Sequence, residues 1–193
     1  MSCPQCFSGH VNPGAPTGRW NTVHGLRTYI AEPPAGKSAK AIIVIIPDAF
    51  GVGFVNNQIL ADHYASAADY LVYLPDFMDA ETKLASGHAL ADAVFTAHPS
   101  SVDAIPDIGN VARPLSIAIG DDDPVMGMKQ VRQAQSILEG KDVDTSVVIY
   151  PRAKHGFSIR ASRAEPDSKE TRQAEEAEEQ AIAWFKKQFS VVV

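Results

Sequence analysis

Five short apolar runs recur along the chain: Ala41–Ile46, Tyr70–Leu74, Ala93–Ala97, Leu115–Ile119 and Val147–Tyr150. Each stops at a polar or proline-containing loop. An unbroken apolar run such as Ala41–Ile46 predicts a strand buried on both faces of a parallel sheet. Between the runs the period changes from strand-like to helical. Val55–Ala68 places Ile59, Leu60, His63, Tyr64 and Ala67 at helical spacing. Asp79–Leu90 predicts a short helix, and Met128–Leu138 an amphipathic one stopped at Gly140. Lys169–Phe189 predicts a long helix with Ala174, Ala177, Ala181, Ile182, Phe185 and Phe189 as its inner stripe. Its Glu-rich start and Lys186–Lys187 end both suit the helix dipole. Upstream, residues 22–31 read as a strand pair broken at Gly25, followed by a turn-rich connector, Pro33–Lys40. Alternation of strands and helices predicts an α/β fold: a mainly parallel sheet flanked by helices.

Size and charge narrow the picture. The chain has 193 residues, 45% of them hydrophobic, which predicts one domain over residues 1–193, with residues 1–20 an irregular arm rich in Gly and Pro. A net charge of −6 argues against nucleic acid and anionic membrane surfaces as partners. The longest apolar run is far too short to span a bilayer. Met1–Gly18 has neither a basic start nor an apolar core, so it does not read as a signal peptide. The expectation is a cytoplasmic protein, monomer or homodimer. Cys3 and Cys6 in C-P-Q-C, followed by His10, resemble a fragment of a zinc site. No second cysteine pair supplies the remaining ligands, so neither a metal nor any other cofactor is expected.

Candidate chemistry gathers at two loops. The Leu115–Ile119 run leads into Gly120-Asp121-Asp122-Asp123, and the Val147–Tyr150 run leads through a short loop to His155-Gly156-Phe157. Open α/β sheets bind ligands outside the carboxyl ends of their strands. An acid and then a histidine, each after a strand, is the last two-thirds of the order Ser/Cys…Asp…His. Asp123 also reads as a turn former beside Pro124. The acidic triplet lacks the clustered ligands of a cation site. His98, next to Pro99, reads as structural, and His63 as a surface or core-satisfied residue of its helix.

D-A-F-G at 48–51, A-D-H-Y-A at 61–65, V-Y-L-P-D-F at 72–77, A-H-P-S at 97–100, G-D-D-D at 120–123 and H-G-F-S-I-R at 155–160 together resemble the dienelactone hydrolase family. The opening C-P-Q-C-x-x-G-H and G-x-P-x-G are similar to its fungal members. The resemblance runs in order along nearly the whole chain. It implies an α/β-hydrolase that opens an ester or lactone with Cys or Ser, His and Asp. Asp123 falls at the family's acid position and His155 at its base position. Asp48, Ala49 and Phe50 match the loop that supplies an oxyanion-hole amide, although Asp48 reads equally as a hydrogen-bond partner within its own loop. Arg160 lies close to an arginine that binds the substrate carboxylate in some members, and otherwise reads as a surface cation. The implied partner is a small ester or lactone, carboxylated or polyketide-like. Fungal relatives occur in both catabolism and secondary metabolism.

One part of the pattern is missing. The nucleophile should stand in a G-x-C-x-G or G-x-S-x-G elbow between the Tyr70–Leu74 and Ala93–Ala97 strands. Neither motif occurs anywhere in the chain, and both cysteines lie within the first six residues. At least one strand–helix unit, on the order of 30 residues, is absent. Either the flanking strands close up through a crossover, or two hydrophobic strands keep exposed edges. Ser86, Ser100 and Ser158 are poor substitutes as nucleophiles, because no strained turn exposes and orients them. The alternative to an enzyme is an inactive, truncated relative that binds a small molecule or a partner.

Overall fold

The computed structural model describes residues 9–48, 50–76, 91–100 and 102–190. They fold as two compact units, His10–His88 and Met1–Gly9 with Ala89–Val193.

In the His10–His88 unit, β1 (Arg19–Val23) and β2 (Leu26–Ala31) form the antiparallel strand pair expected around Gly25. β3 is Ala41–Val44 and β4 is Tyr70–Pro75, and the sheet order is β1-β2-β4-β3. The β3–β4 pair is parallel, with α1 (Val55–Ala68) as its crossover. Helix α1 packs on β2 and β4 through Ala61, Tyr64 and Ala65. Its bounds match the periodicity, but its inner face does not. His63 and Ala67 are exposed, while Asn56, Asn57 and Gln58 are buried. These amides are inside because they satisfy loop backbone groups that would otherwise lack partners. The Asn56 side-chain amide donates to the His10 carbonyl (2.9 Å), Asn57 to Gly51 (2.9 Å) and Gln58 to Val52 (2.8 Å).

The second unit holds an all-parallel sheet, β5-β6-β7, made of Val94–Ala97, Leu115–Gly120 and Thr145–Tyr150. Central β6 is buried throughout. On one face Leu115, Ile117 and Ile119 pack with Val131, Ala134 and Leu138 of α2 (Met128–Glu139). On the other, Ala118 packs with Tyr150, Phe157 and Ala177, the last from α4 (Lys169–Ser190). Gln180 of α4 is tied to this face as well. It donates to Ser116 Oγ at 2.9 Å and accepts from the Tyr150 hydroxyl at 2.9 Å. The inner stripe of α4 includes Ala174, Ala177, Ala181 and Phe185 as the spacing predicts. It also takes in Thr171, Gln173 and Trp184, while Ile182 and Phe189 are only half-buried. Patterning gave no sign of two short elements, a single π-helical turn at Ala104–Ile108 and α3 at Phe157–Arg160.

Both sheets have a parallel edge. Among the described residues β3 pairs only with β4, and β5 only with β6. The expectation that Ala41–Ile46 is buried on both faces is therefore corrected. Ile43 is buried, but Ile42, Val44 and Ile46 are 60%, 54% and 75% exposed. Val94 on β5 is exposed too. Exposed apolar side chains therefore stand on an edge strand of each sheet among the described residues. The predicted helix at Asp79–Leu90 and the C-P-Q-C segment lie outside the described residues.

Candidate active site

Parallel register sets the site. β5, β6 and β7 run side by side in the same direction, so the loops that follow them emerge at one end of the sheet. The loops after β6 and β7 are stitched together. Asp121 N–H donates to the Tyr150 carbonyl (3.1 Å), Asp122 N–H to the Ala153 carbonyl (3.2 Å), and Arg152 N–H to the Asp121 carboxylate. Gly120 makes this approach possible, since a Cβ there would lie 2.0 Å from the Ala153 carbonyl oxygen.

Asp123 and His155 are thereby brought together, at 4% and 8% exposure. His155 Nδ1 lies 2.9 Å from Asp123 Oδ2. A carboxylate only accepts, so Nδ1 donates to it, and in the neutral ring this tautomer leaves the lone pair on Nε2. The other carboxylate oxygen, Oδ1, accepts from the backbone N–H groups of Val125 (2.8 Å) and Met126 (3.3 Å). Asp123 is thus both turn former and partner of the histidine. Burial pushes its carboxyl up, but the His155 bond and the two backbone donors outweigh that and hold it below its ordinary value.

Nε2 faces a hydroxyl. Ser100 Oγ stands 3.2 Å from it, on an exposed residue three positions beyond the end of β5. His98 continues the β5 ladder, donating its N–H to the Ala118 carbonyl (2.8 Å). It then turns sharply with φ 39°, a costly value for a side chain of this size, and Pro99 leads on to Ser100. The sequence had ranked Ser100 no higher than Ser86 or Ser158. Its only sequence signal was its place just past a strand end, in A-H-P-S.

A second imidazole–hydroxyl pair lies beside the first. His98 Nε2 is 2.8 Å from Ser158 Oγ, and the His98 ring meets the His155 ring edge-on with centroids 5.2 Å apart. Packing away from water, then the His155 and Arg160 charges, push the His98 pKa down to about 3, with Asp123 opposing. His98 therefore stays neutral across the ordinary pH range.

Arg160 is not a surface cation. It is 4% exposed, on α3, with its guanidinium against Gly156. Gly156 has φ 83° and could carry no Cβ there, since one would meet Arg160 Nη2 at 2.1 Å. Gly9 lies against the aliphatic stem of the same arginine. Asp48 and Phe50 belong to the His10–His88 unit. There the Asp48 carboxylate accepts from Phe50 N–H at 3.1 Å, and its carbonyl accepts from Gly51 N–H at 2.9 Å. Asp48 holds its own loop, as one of its two sequence readings had it. Ala49 lies outside the described residues. Among the described residues no group of three or more His, Cys, Asp or Glu could hold a metal ion, and no helix is long and apolar enough to cross a membrane.

Acid, histidine and sheet arrangement together define an α/β-hydrolase fold. The putative dienelactone hydrolase of Klebsiella pneumoniae superposes with a TM-score of 0.69 at 15% identity, covering 90% of this chain and 99% of that one. Thermogutta terrifontis esterase 2, solved phosphoramylated by tabun, does so at 0.65 and 12% identity, covering 91% and 96%. At the level of sequence, the model of the dienelactone hydrolase family matches residues 79–189, and the chain belongs to that family. A curated relative, the hydrolase tropI of Talaromyces stipitatus, is 24% identical over 249 aligned positions, covering 96% of this chain and 95% of the relative. That alignment is longer than the chain itself, so part of the relative has no counterpart here. Dienlactone hydrolase 1 of Gibberella moniliformis is 35% identical over 80 residues, 40% of this chain and 30% of the relative.

Proposed function

We propose that the protein is a carboxylic-ester hydrolase that opens an ester or lactone of a small carboxylated or polyketide-like metabolite, with His155 as general base and Asp123 as the group that orients it. One observation carries this reading: a buried Asp123–His155 pair whose second ring nitrogen is turned toward an exposed hydroxyl. In such a pair the carboxylate fixes the tautomer and stabilises the imidazolium formed when Nε2 takes the attacking group's proton. The same nitrogen then returns the proton to the departing alcohol. The names of the relatives, hydrolase and dienlactone hydrolase, agree with ester or lactone opening. Arg160, whose charge reaches His98 beside the catalytic pair, supports a substrate bearing a carboxylate. No cofactor enters this scheme, and a cytoplasmic monomer or homodimer fits the composition.

The test is a panel of aryl esters and small lactones, each with and without a free carboxylate, offered to the folded chain. Turnover that rises with a carboxylate and falls in Arg160→Met supports the substrate class. Turnover indifferent to both removes it while leaving the hydrolase reading intact.

A second reading is favoured by a different observation, the absence of G-x-C-x-G and G-x-S-x-G from the sequence. On that reading the chain is a non-catalytic relative that binds small molecules. A folded sample that binds members of the panel without turning any over selects it.

A further inference from the structure

We propose that Ser100 is the nucleophile of this chain, replacing the elbow residue its family places on a strand that this sequence lacks, and that hydrolysis passes through an ester on Ser100 Oγ. The inference rests on the hydrolase reading above and adds the identity of the attacking atom.

Three observations carry it. Ser100 Oγ is 3.2 Å from His155 Nε2, on the ring edge opposite the one bonded to Asp123 Oδ2 at 2.9 Å. Hydroxyl, imidazole and carboxylate are thus linked in sequence by hydrogen bonds, the relation by which a nucleophile, its base and the base's orienter are recognised whatever their order in the chain. Ser100 is exposed while His155 and Asp123 are buried, so a substrate reaches the hydroxyl while the pair behind it is held in place by packing. Finally, the turn that presents Ser100 has a strained residue, His98 at φ 39°, directly after a parallel strand. Strained backbone after a strand is the device by which a nucleophile is held at the top of such sheets.

The competing hydroxyl is Ser158, 2.8 Å from His98 Nε2. Among the described residues no hydrogen bond joins His98 to a carboxylate, and burial with the neighbouring His155 and Arg160 disfavours the cation it would become on taking a proton, against a weaker opposing effect of Asp123. Among the described residues, the base facing Ser100 is the one hydrogen-bonded to a carboxylate.

The chemistry balances within the three residues and water. The Ser100 Oγ–H bond breaks and its proton passes to His155 Nε2 as Oγ bonds to the carbonyl carbon. The bond from that carbon to the alcohol oxygen then breaks, and the alcohol, or the ring-opened hydroxyl of a lactone, takes the proton from Nε2. Water repeats the sequence against the acyl–Oγ bond. It releases the carboxylic acid and restores Ser100.

The experiment incubates the folded chain with p-nitrophenyl acetate, and separately with paraoxon, beside Ser100→Ala, Ser100→Cys and His155→Ala. Intact mass and fragment spectra locate any adduct, p-nitrophenol release gives turnover, and circular dichroism confirms folding. The proposal predicts an acetyl or diethylphosphoryl group on Ser100, absent in Ser100→Ala and His155→Ala, with turnover down roughly 1,000-fold in Ser100→Ala. Ser100→Cys should regain an adduct, a thioester from p-nitrophenyl acetate and an S-diethylphosphoryl group from paraoxon. An adduct on another residue, Ser158 or Ser86 included, overturns the proposal. So does His155-dependent turnover that Ser100→Ala leaves unchanged; the hydrolase reading would then stand, with water attacking directly. Neither adduct nor turnover from a folded chain overturns both.

Discussion

Acid should loosen the protein through His98. Its pKa is pushed from 6.5 to about 3 by packing, with the His155 and Arg160 charges adding to the effect and the Asp123 carboxylate opposing it. Phe157 lies edge-on to its ring and Ser158 holds Nε2. In the unfolded chain His98 takes up a proton below about pH 6.5, whereas in the native protein it does so only near pH 3. Between those values the unfolded state binds more protons, so stability falls as pH falls through that window. Between pH 7 and pH 5 the loss is about 2 kcal/mol. That is an upper figure, because His98 is half-buried rather than sealed from water. Urea unfolding at the two pH values, for the natural chain and for His98→Asn, isolates the effect. Asparagine tolerates the left-handed backbone at this position and does not titrate. The natural chain should lose stability that the variant keeps. Equal acid slopes in the two proteins would refute the reasoning.

Other consequences are direct. Asp123→Asn should leave the fold intact yet lower ester hydrolysis roughly 10,000-fold, because an amide no longer enforces the Nδ1–H tautomer of His155; steady-state kinetics measure this. The Asp123 carboxyl, held below its ordinary value, contributes stability that is present above about pH 3.9 and lost as pH falls through its lower folded value. The variant should therefore flatten the stability curve below pH 4. Gly156→Ala puts a Cβ against Arg160 at φ 83° and should cost about 1–3 kcal/mol, read as a lower thermal midpoint. Ile46→Lys, at a position 75% exposed beyond β3, should leave stability within about 0.5 kcal/mol and reduce concentration-dependent light scattering.

Much of the framework was legible because it rests on local pattern. β6 reads as a continuous apolar run because both its faces are covered, by α2 and α4. The bounds of α1 follow from its period, and the acidic loop and His155 announce themselves by standing just past strand ends. What the sequence hid depends on distant partners. The apolar run of β3 looks like that of β6, yet β3 is an edge whose Ile42, Val44 and Ile46 face outward. Nothing in the run itself records the missing neighbour. The amides of Asn56, Asn57 and Gln58 are buried for the sake of loop carbonyls that periodicity does not see. Ser100 was passed over because its meaning comes from the parallel register of β5, β6 and β7, which carries it to a histidine 55 positions away in the chain. Arg160 read as a possible surface cation because burial of a charge against a glycine turn leaves no trace in composition.

A buried Asp123–His155 pair should make this chain a working hydrolase although its sequence carries no elbow motif. Release of p-nitrophenol from p-nitrophenyl acetate by the purified chain, beside His155→Ala and with circular dichroism showing both folded, tests it most directly. Turnover above the buffer rate, lost in His155→Ala, is the expected result. Turnover equal in the two proteins, or none from the folded natural chain, would contradict it.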